Sequence, residues 1–429
     1  MNTVYDLIGV GIGPSNLSLA ALLHPLGRVN SVFFDKKYKF VWHEGMLLPG
    51  AALQVHYLKD LVSLIDPTNR FSFVAYLSAN KRLHQFINAH FTNVTRLEFN
   101  NYYQWVAESL RNLRFGYHVH EMQVQNRKLA IYANNDKFVT KNVVMGCGLN
   151  KSIPACAEKK LCDSVIHSGD FLSLKNKIKN KNIVIIGGGQ SGAEILLNIL
   201  SKEERPQSVS WVSRRDNFLP MDDSPFTNEL FTPTYSDRFY NFPLEKRREL
   251  VSQQKLFSDG ISLSTLQLLY QKMYELKYIE KNPLCYLMPS FELINLTKNT
   301  TSWVVSVKNL ETGSDINLQA DLVILCTGYR YELPPFLQSI EHYLNKDNDG
   351  NLIINKDYSL SWNGPEECRL YLQNGALLSR GVADPNLSLL ARRSSIIINS
   401  LLEEKIYETQ DDGIFGWEVK EINKESIYA

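Results

Sequence analysis

The chain has 429 residues, 44% of them hydrophobic and 21% charged. That length exceeds a comfortable single core, so two or more domains are expected, in an ordinary globular protein. Lys plus Arg is 46 against 45 for Asp plus Glu, a net +1. This excludes the basic excess or stripe of a nucleic-acid binder, and no apolar run approaches the ~20 residues that span a bilayer.

The opening segment, MNTVYDLIGVGIGPSNLSLAALL, lacks the basic start of a signal peptide and carries Asp6 with three glycines at strand-to-helix spacing. It is read as structure, and the protein as cytoplasmic. A short buried strand over 5–10 runs into Gly9-Val10-Gly11-Ile12-Gly13-Pro14-Ser15-Asn16, and Leu17 to Leu23 has helical spacing. This is the form of a dinucleotide-binding turn: glycines let backbone N–H groups approach a pyrophosphate at the positive end of a helix. Counted from Gly9, the third position of G-x-G-x-x-G is Pro14, so the pattern alone suits an ordinary tight turn equally well. The context favours the nucleotide. A second apolar strand over 31–34 ends in Asp35, where an acid takes the ribose hydroxyls of an adenosine without a 2′-phosphate, as in FAD.

The six cysteines, Cys147, Cys156, Cys162, Cys285, Cys326 and Cys368, are scattered without a C-x-x-C pair. Buried, inert thiols are expected, rather than a zinc site, a disulfide framework or a redox dithiol. A β-branched strand over 181–186 leads to a complete G-x-G-x-x-G at Gly187, Gly189 and Gly192, with a helix expected over 193–200. The next strand, 208–212, ends in Ser213-Arg214-Arg215. Two guanidiniums where the first unit has an acid point to a 2′-phosphate, hence NADPH; arginines on an exposed loop are the alternative.

Segments 142–148 and 321–330 are both apolar strands running into small-residue turns. Read as crossings out of and back into the first sheet, they give an FAD-binding domain over 1–160, an inserted NADPH-binding domain over 161–320, and the FAD-binding remainder with substrate-site elements over 321–429. The fold class is α/β: two Rossmann-like domains, one inserted in the other, plus a small helical substrate region. Residues 331–372 and 416–429 carry no motif, apart from turn-formers at 345–351.

A disulfide reductase would need paired cysteines beside its flavin, and none exist. The F-x-G-x-x-x-H of Baeyer–Villiger and sulfur monooxygenases is missing, with Leu161 and Asp163 where Phe and Gly would precede His167. The sequence resembles instead the microbial N-hydroxylating flavin monooxygenases of siderophore biosynthesis, the lysine N6-hydroxylase/ornithine N5-oxygenase family. The matching stretches are GVGIGPSNLSLAAL at 9–22, FVWHEGM at 40–46, LQVHYLKDLVSLIDPTNRFSF at 53–73, RLEF at 96–99, YYQW at 102–105, GGGQSGAE at 187–194, WVSRR at 211–215, CTGYR at 326–330 and GVADPNLSLLARRS at 381–394.

The resemblance implies that Gly9, Gly11, Gly13, Pro14, Ser15, Asn16, Asp35, Lys36, Trp42, His43 and Gln54 hold FAD, with Gln54 near the isoalloxazine and Pro385, Asn386 and Leu387 closing over it. It implies NADPH contacts at Gly187, Gly189, Gln190, Ser191, Gly192, Arg214, Arg215, Ser258 and Asp259, and substrate contacts at Lys59, Asn228 and Ser388. No catalytic residue and no metal are assigned. In the implied reaction NADPH reduces FAD, O2 adds to form a C4a-hydroperoxide, and a neutral primary amine attacks its distal oxygen. An acyltransferase or siderophore synthetase would act downstream, and self-association is common in the family.

The amine stays open. Phe257-Ser258-Asp259-Gly260 resembles the lysine and diamine enzymes, whereas Asn228 resembles the ornithine enzymes; lysine or a diamine is weighed above ornithine. Lys59 is a charge in an apolar stretch between Leu58 and Leu61, and such a lysine needs a partner, either a ligand carboxylate or Asp60. An FAD/NADPH oxidoreductase of another class, a sulfur or Baeyer–Villiger monooxygenase or an acceptor reductase, remains the alternative.

Overall fold

The computed structural model describes residues 3–174, 177–410 and 413–417; residues 411–412 and 418–429, at the end of the expected 321–429 segment, lie outside them. The two apolar strands that precede the glycine turns become the centres of two separate sheets. Val4–Val10 pairs in parallel with Ser31–Asp35 on one side and Asp136–Met145 on the other. Leu113–Phe115 extends this sheet in parallel beyond Ser31–Asp35, and the antiparallel strands Lys128–Ala133 and Val119–Gln125 extend it at the other edge. On its edge away from Val4–Val10, Asp136–Met145 serves two neighbours: its first half pairs with Lys128–Ala133 and its second half, in parallel, with Arg369–Leu372. The helix Pro14–Leu23 is buried nearly all round between this sheet and the helix Leu390–Leu402, which is why its sequence is apolar without a polar face.

The second sheet is wholly parallel, in the order Cys285–Met288, Ser208–Val212, Asn182–Ile186, Leu322–Leu325, Val165–His167. Side chains along its central strand alternate between two covered faces, so it reads as an apolar run. Ile183 and Ile185 pack with Ala193, Leu196 and Ile199 of the helix Gln190–Leu200. Val184 and Ile186 pack with Trp303, Val305 and Val307 of a small antiparallel sheet, Phe291–Lys298, Trp303–Asn309 and Asp315–Ala320. The helices Pro225–Asn228, Pro233–Tyr240, Leu244–Gln253 and Lys255–Asp259 lie between Ser208–Val212 and Cys285–Met288. The architecture is the expected α/β pair of Rossmann-like sheets with a helical region.

Two expectations are corrected. Leu322–Leu325 does not return the chain to the first sheet; it pairs with Asn182–Ile186 and Val165–His167 in the second, and the returning strand is Arg369–Leu372. The reason is that both sheets use the same local form beside the glycine turn. Gly146 N donates to the Val10 carbonyl at 2.8 Å, and Cys326 N donates to the Ile186 carbonyl at 2.7 Å. The expected limit at residue 320 therefore separates Leu322–Leu325 from its own sheet. The cysteines are all unpaired, but only Cys326 and Cys368 are buried; Cys147 and Cys162 are exposed because they lie in the connections between the sheets, outside the strands.

Gly187 has a φ of 121°, and a Cβ there would lie 2.1 Å from the Cys326 carbonyl oxygen. Gly187→Ala is expected to lower stability by about 2–4 kcal/mol. Chemical denaturation checks this, and an unchanged midpoint would contradict it.

Candidate functional site

The two glycine turns are built alike. Gly11 N donates to the Phe34 carbonyl and Gly187 N to the Val212 carbonyl, both at 2.8 Å. Gly11 and Gly187 have φ of 88° and 121°. Gly13 and Gly189 then stand as N-caps of Pro14–Leu23 and Gln190–Leu200. The corresponding positions are thus Gly11 with Gly187, Gly13 with Gly189, and Asn16 with Gly192. The count from Gly9 starts two residues early. Gly9 is a strand residue, glycine because a Cβ there would lie 2.0 Å from the Phe33 ring. Pro14 sits in the first helical turn, where its missing N–H costs nothing. The third position is Asn16, whose buried amide donates to the Gly11 carbonyl at 2.7 Å and the Val10 carbonyl at 3.3 Å.

Gly13 and Gly189 are not glycine for the protein's own sake. Their φ of −93° and −110° suits any residue. A Cβ would meet nothing nearer than the Gly146 carbonyl oxygen at 3.9 Å and the Asp259 carbonyl oxygen at 3.6 Å. What a side chain would fill is the approach to the helix start. Neither helix has a side-chain cap or an acid in its first turn, so the N–H groups of Ser15 and Asn16, or of Ser191 and Gly192, are free for an anion. Both cradles fit a dinucleotide pyrophosphate.

The strand ends differ in charge. Asp35 latches the first turn, its carboxylate accepting from Ile12 N at 2.7 Å and Lys37 N at 2.8 Å, with Lys36 exposed beside it. At the matching position of the second unit stands Ser213, whose hydroxyl accepts from Arg215 N at 3.1 Å. Arg215 reaches back over the turn to the Asp259 carbonyl at 3.3 Å and the Gly188 carbonyl at 3.5 Å. Arg214 turns outward beside Glu292, and Ser258 donates to the Asp259 carboxylate at 3.1 Å at the end of the helix Lys255–Asp259, whose last carbonyl overhangs Gly189. A carboxylate beside one cradle and guanidiniums beside the other suit adenosines without and with a 2′-phosphate.

Between the cradles, Trp42 packs edge-on against Tyr103, and its N donates to the Asn100 side chain at 2.9 Å. His43 keeps an exposed edge, yet the surrounding protein, with the Arg96 and Lys37 cations, lowers its pKa to about 4. Its ring is therefore neutral near pH 7. Gln54 crosses to the second unit, donating to the Gly260 carbonyl and the Ser262 hydroxyl at 3.2 Å each.

Lys59 Nζ donates to Ser388 Oγ at 3.0 Å, and Ser388 in turn donates to Asn386 Oδ1 at 2.8 Å. Asp60 is not the partner of Lys59. It is buried and accepts from Val62 N, Ser63 N, Phe73 N and the Ser63 hydroxyl. Among the described residues no carboxylate pairs with Lys59, and burial lowers its pKa. Asn228 is exposed and donates to the Asp223 carbonyl at 2.8 Å, and among the described residues no hydrogen bond joins it to Lys59 or Ser388. It is drawn to that side indirectly, since Phe231 packs with Val382, Ala383 and Leu389 around the loop that carries exposed Pro385 and half-buried Leu387.

The sequence reading missed what holds this loop over the first cradle. Arg393 and Asp384, both fully buried, pair at 3.0 Å. Arg393 also donates to Asn374 at 2.8 Å and to the Ser15 hydroxyl at 3.2 Å, while Gln373 donates to Asn16 Oδ1 at 2.7 Å. The available signal was a pair of arginines within the apolar run of Leu390–Leu402. Arg393→Leu leaves the Asp384 carboxylate buried without its cation, an expected loss of about 3–5 kcal/mol in unfolding free energy. Arg28→Leu, at the exposed pair with Glu404, should lose no more than about 1 kcal/mol, and equal effects of the two changes would contradict the assignment.

Residues 3–331 match the family model of L-lysine 6-monooxygenase/L-ornithine 5-monooxygenase. The L-lysine N6-monooxygenase of Escherichia coli is 34% identical over 413 residues, 95% of this chain and 97% of that protein. The FAD-bound cadaverine monooxygenase of the desferrioxamine pathway of Erwinia amylovora superposes with a TM-score of 0.90 at 28% identity, over 96% of this chain and 98% of that one. The ornithine N-hydroxylase of Kutzneria sp. 744, solved with reduced FAD, NADP+ and L-ornithine, gives a TM-score of 0.88 at 25% identity, over 94% and 99%. With both cradles, their opposite charges and a match along most of its length, the chain belongs to the L-lysine 6-monooxygenase/L-ornithine 5-monooxygenase family.

Proposed function

We propose that this chain is an FAD- and NADPH-dependent monooxygenase that hydroxylates the terminal nitrogen of a small primary amine, for a hydroxamate siderophore. The observation that carries the reading is the pair of uncapped glycine cradles, one beside Asp35 and one beside Ser213, Arg214 and Arg215, in one chain of this family. FAD, when bound, supplies the activation of O2, and NADPH supplies the hydride. The chain's own part is to bind, orient and exclude water. Ser15 and Asn16 offer N–H groups to one pyrophosphate, Ser191 and Gly192 to the other, and the loop around Pro385 to Leu387 closes the flavin side. The amine must be neutral to react; its free pKa is about 10.4, and burial lowers it.

Lys59 supports a choice among amines. An ammonium bonded, among the described residues, only to a hydroxyl, with burial opposing its charge, calls for an anion from the ligand. An amino-acid carboxylate meets that need and a diamine does not; with the lysine-like stretch Phe257-Ser258-Asp259-Gly260, lysine rather than ornithine is the first candidate. The same reading puts an enzyme that acylates the hydroxylamine downstream, and the chain in the cytoplasm, where NADPH is supplied. No helix among the described residues is long and apolar enough to cross a membrane.

NADPH oxidation and hydroxylamine formation measured against lysine, ornithine, putrescine, cadaverine, diaminopropane and histamine test the reading. Lysine is expected to give coupled hydroxylamine, and Lys59→Ala to raise its KM about 10–100-fold, the worth of a hydrogen bond to a charged group. Cadaverine turnover should change far less in that variant. Preference for a diamine with no effect of Lys59→Ala would overturn the substrate assignment. Peroxide alone with every amine would favour an acceptor reductase.

A further inference from the structure

The two units meet through apolar contacts and through directional polar ones: Asp237 of Pro233–Tyr240 holds Arg380 and Arg392 at 2.9 and 2.7 Å, and a second set forms a ring between the two glycine cradles. Met46, Leu48 and Ala51 of the first unit are buried in the core of the second, where burial holds surfaces together without fixing their angle. The ring begins at Arg96, the first residue of the helix Arg96–Ser109, whose guanidinium crosses to Glu194 on Gln190–Leu200. The side chains are 13% and 5% exposed. The second oxygen of Glu194 accepts from Gln190 Nε2 at 2.7 Å, and Gln190 Oε1 accepts from Ser262 N at 2.8 Å. Ser262 Oγ accepts from Gln54 Nε2 at 3.2 Å, which brings the path back to the first unit. There it closes, because Arg96 N donates to the Ala51 carbonyl at 2.8 Å and Leu53 N to the Val94 carbonyl at 2.9 Å.

On the function proposed above, the ring meets each unit at a residue next to its dinucleotide. Gln190 opens the helix behind the second cradle, and Gln54 is the residue the family resemblance places near the isoalloxazine. Hydride transfer needs the donor and acceptor carbons held close and aligned, and a displacement of about 1 Å can cost up to about 100-fold in rate. We propose that Glu194, through Arg96 and Gln190, is a positioning residue that sets the angle between the two units for reduction of the flavin. This deepens, and rests on, the function proposed above. A buried, hydrogen-bonded ion pair suits this task because its geometry is narrow, and losing either partner leaves the other charge without a home.

The test is anaerobic reduction of the FAD-loaded protein by NADPH, followed by stopped-flow absorbance. Glu194→Gln keeps the shape and removes the charge. Its limiting reduction rate is expected to fall about 10-fold or more, with FAD content and NADP+ affinity unchanged. Arg96→Gln should give a similar fall, and the double variant little further loss, since the two act as one unit. If either single variant fails to fold, Arg96→Met with Glu194→Leu leaves no buried charge unpaired and carries the same expectation. A limiting rate equal to wild type overturns the proposal, and so does a loss confined to NADPH affinity. Wild-type protein that is reduced by NADPH but hydroxylates no amine would sink the function above and leave this measurement standing. Failure of NADPH to reduce it would overturn both.

Discussion

The rest of the structure depends on one arrangement, made twice: a parallel strand that ends at the start of a helix nothing caps. Helix starts leave their first N–H groups unpaired, and a protein normally covers them with a side chain. Here both are left open, and glycine keeps the approach clear. The glycines divide by physical reason. Gly11 and Gly187 are set by positive φ and by a carbonyl a Cβ would strike, whereas Gly13 and Gly189 are free of both constraints. Their explanation lies in what the cradle receives.

Once the two cradles are aligned by backbone, their difference becomes informative. Asp35 and Ser213 occupy the same place and do the same local work, each accepting the N–H two residues on. The exchange of carboxylate for hydroxyl removes a negative charge where a 2′-phosphate would lie, and two arginines follow. The first cradle is completed from far along the chain. Arg369–Leu372 enters the first sheet, Gln373 and Asn374 reach Asn16 and Ser15, and the Asp384–Arg393 pair pins the loop whose Ser388 meets Lys59. A buried ion pair is costly to form and costlier to break by halves, which makes it a fitting lock for a loop over a ligand.

What was legible in the sequence was what is local. Strand, turn and helix around each cradle are short-range patterns, and Ser208–Val212 lies where its β-branched and aromatic residues put it. Two errors arose where local form is ambiguous. Gly9 looked like the first motif glycine because a strand glycine that admits the Phe33 ring reads the same as a turn glycine. Leu322–Leu325 was given to the wrong sheet because its twin, Asp136–Met145, has the same ending. Long-range features were hidden. Lys59 and Ser388 are 329 residues apart, and no spacing rule joins them; the family resemblance named both, but not that they touch. Asp384 with Arg393, and Glu194 with Arg96, show only as charges in apolar surroundings, and such a charge tells the reader that a partner exists without saying which. Arg369–Leu372 is four residues, too short for periodicity to identify even with the turn-formers Asn363-Gly364-Pro365 and Asn374-Gly375 on either side.

The most direct test of the central claim is a crystal structure of the wild-type chain with FAD and NADP+ bound. The account predicts the FAD pyrophosphate at Ser15 and Asn16, the NADP+ pyrophosphate at Ser191 and Gly192, and the 2′-phosphate against Arg214 or Arg215. Either dinucleotide seated away from its helix start, or the two exchanged between cradles, would contradict it.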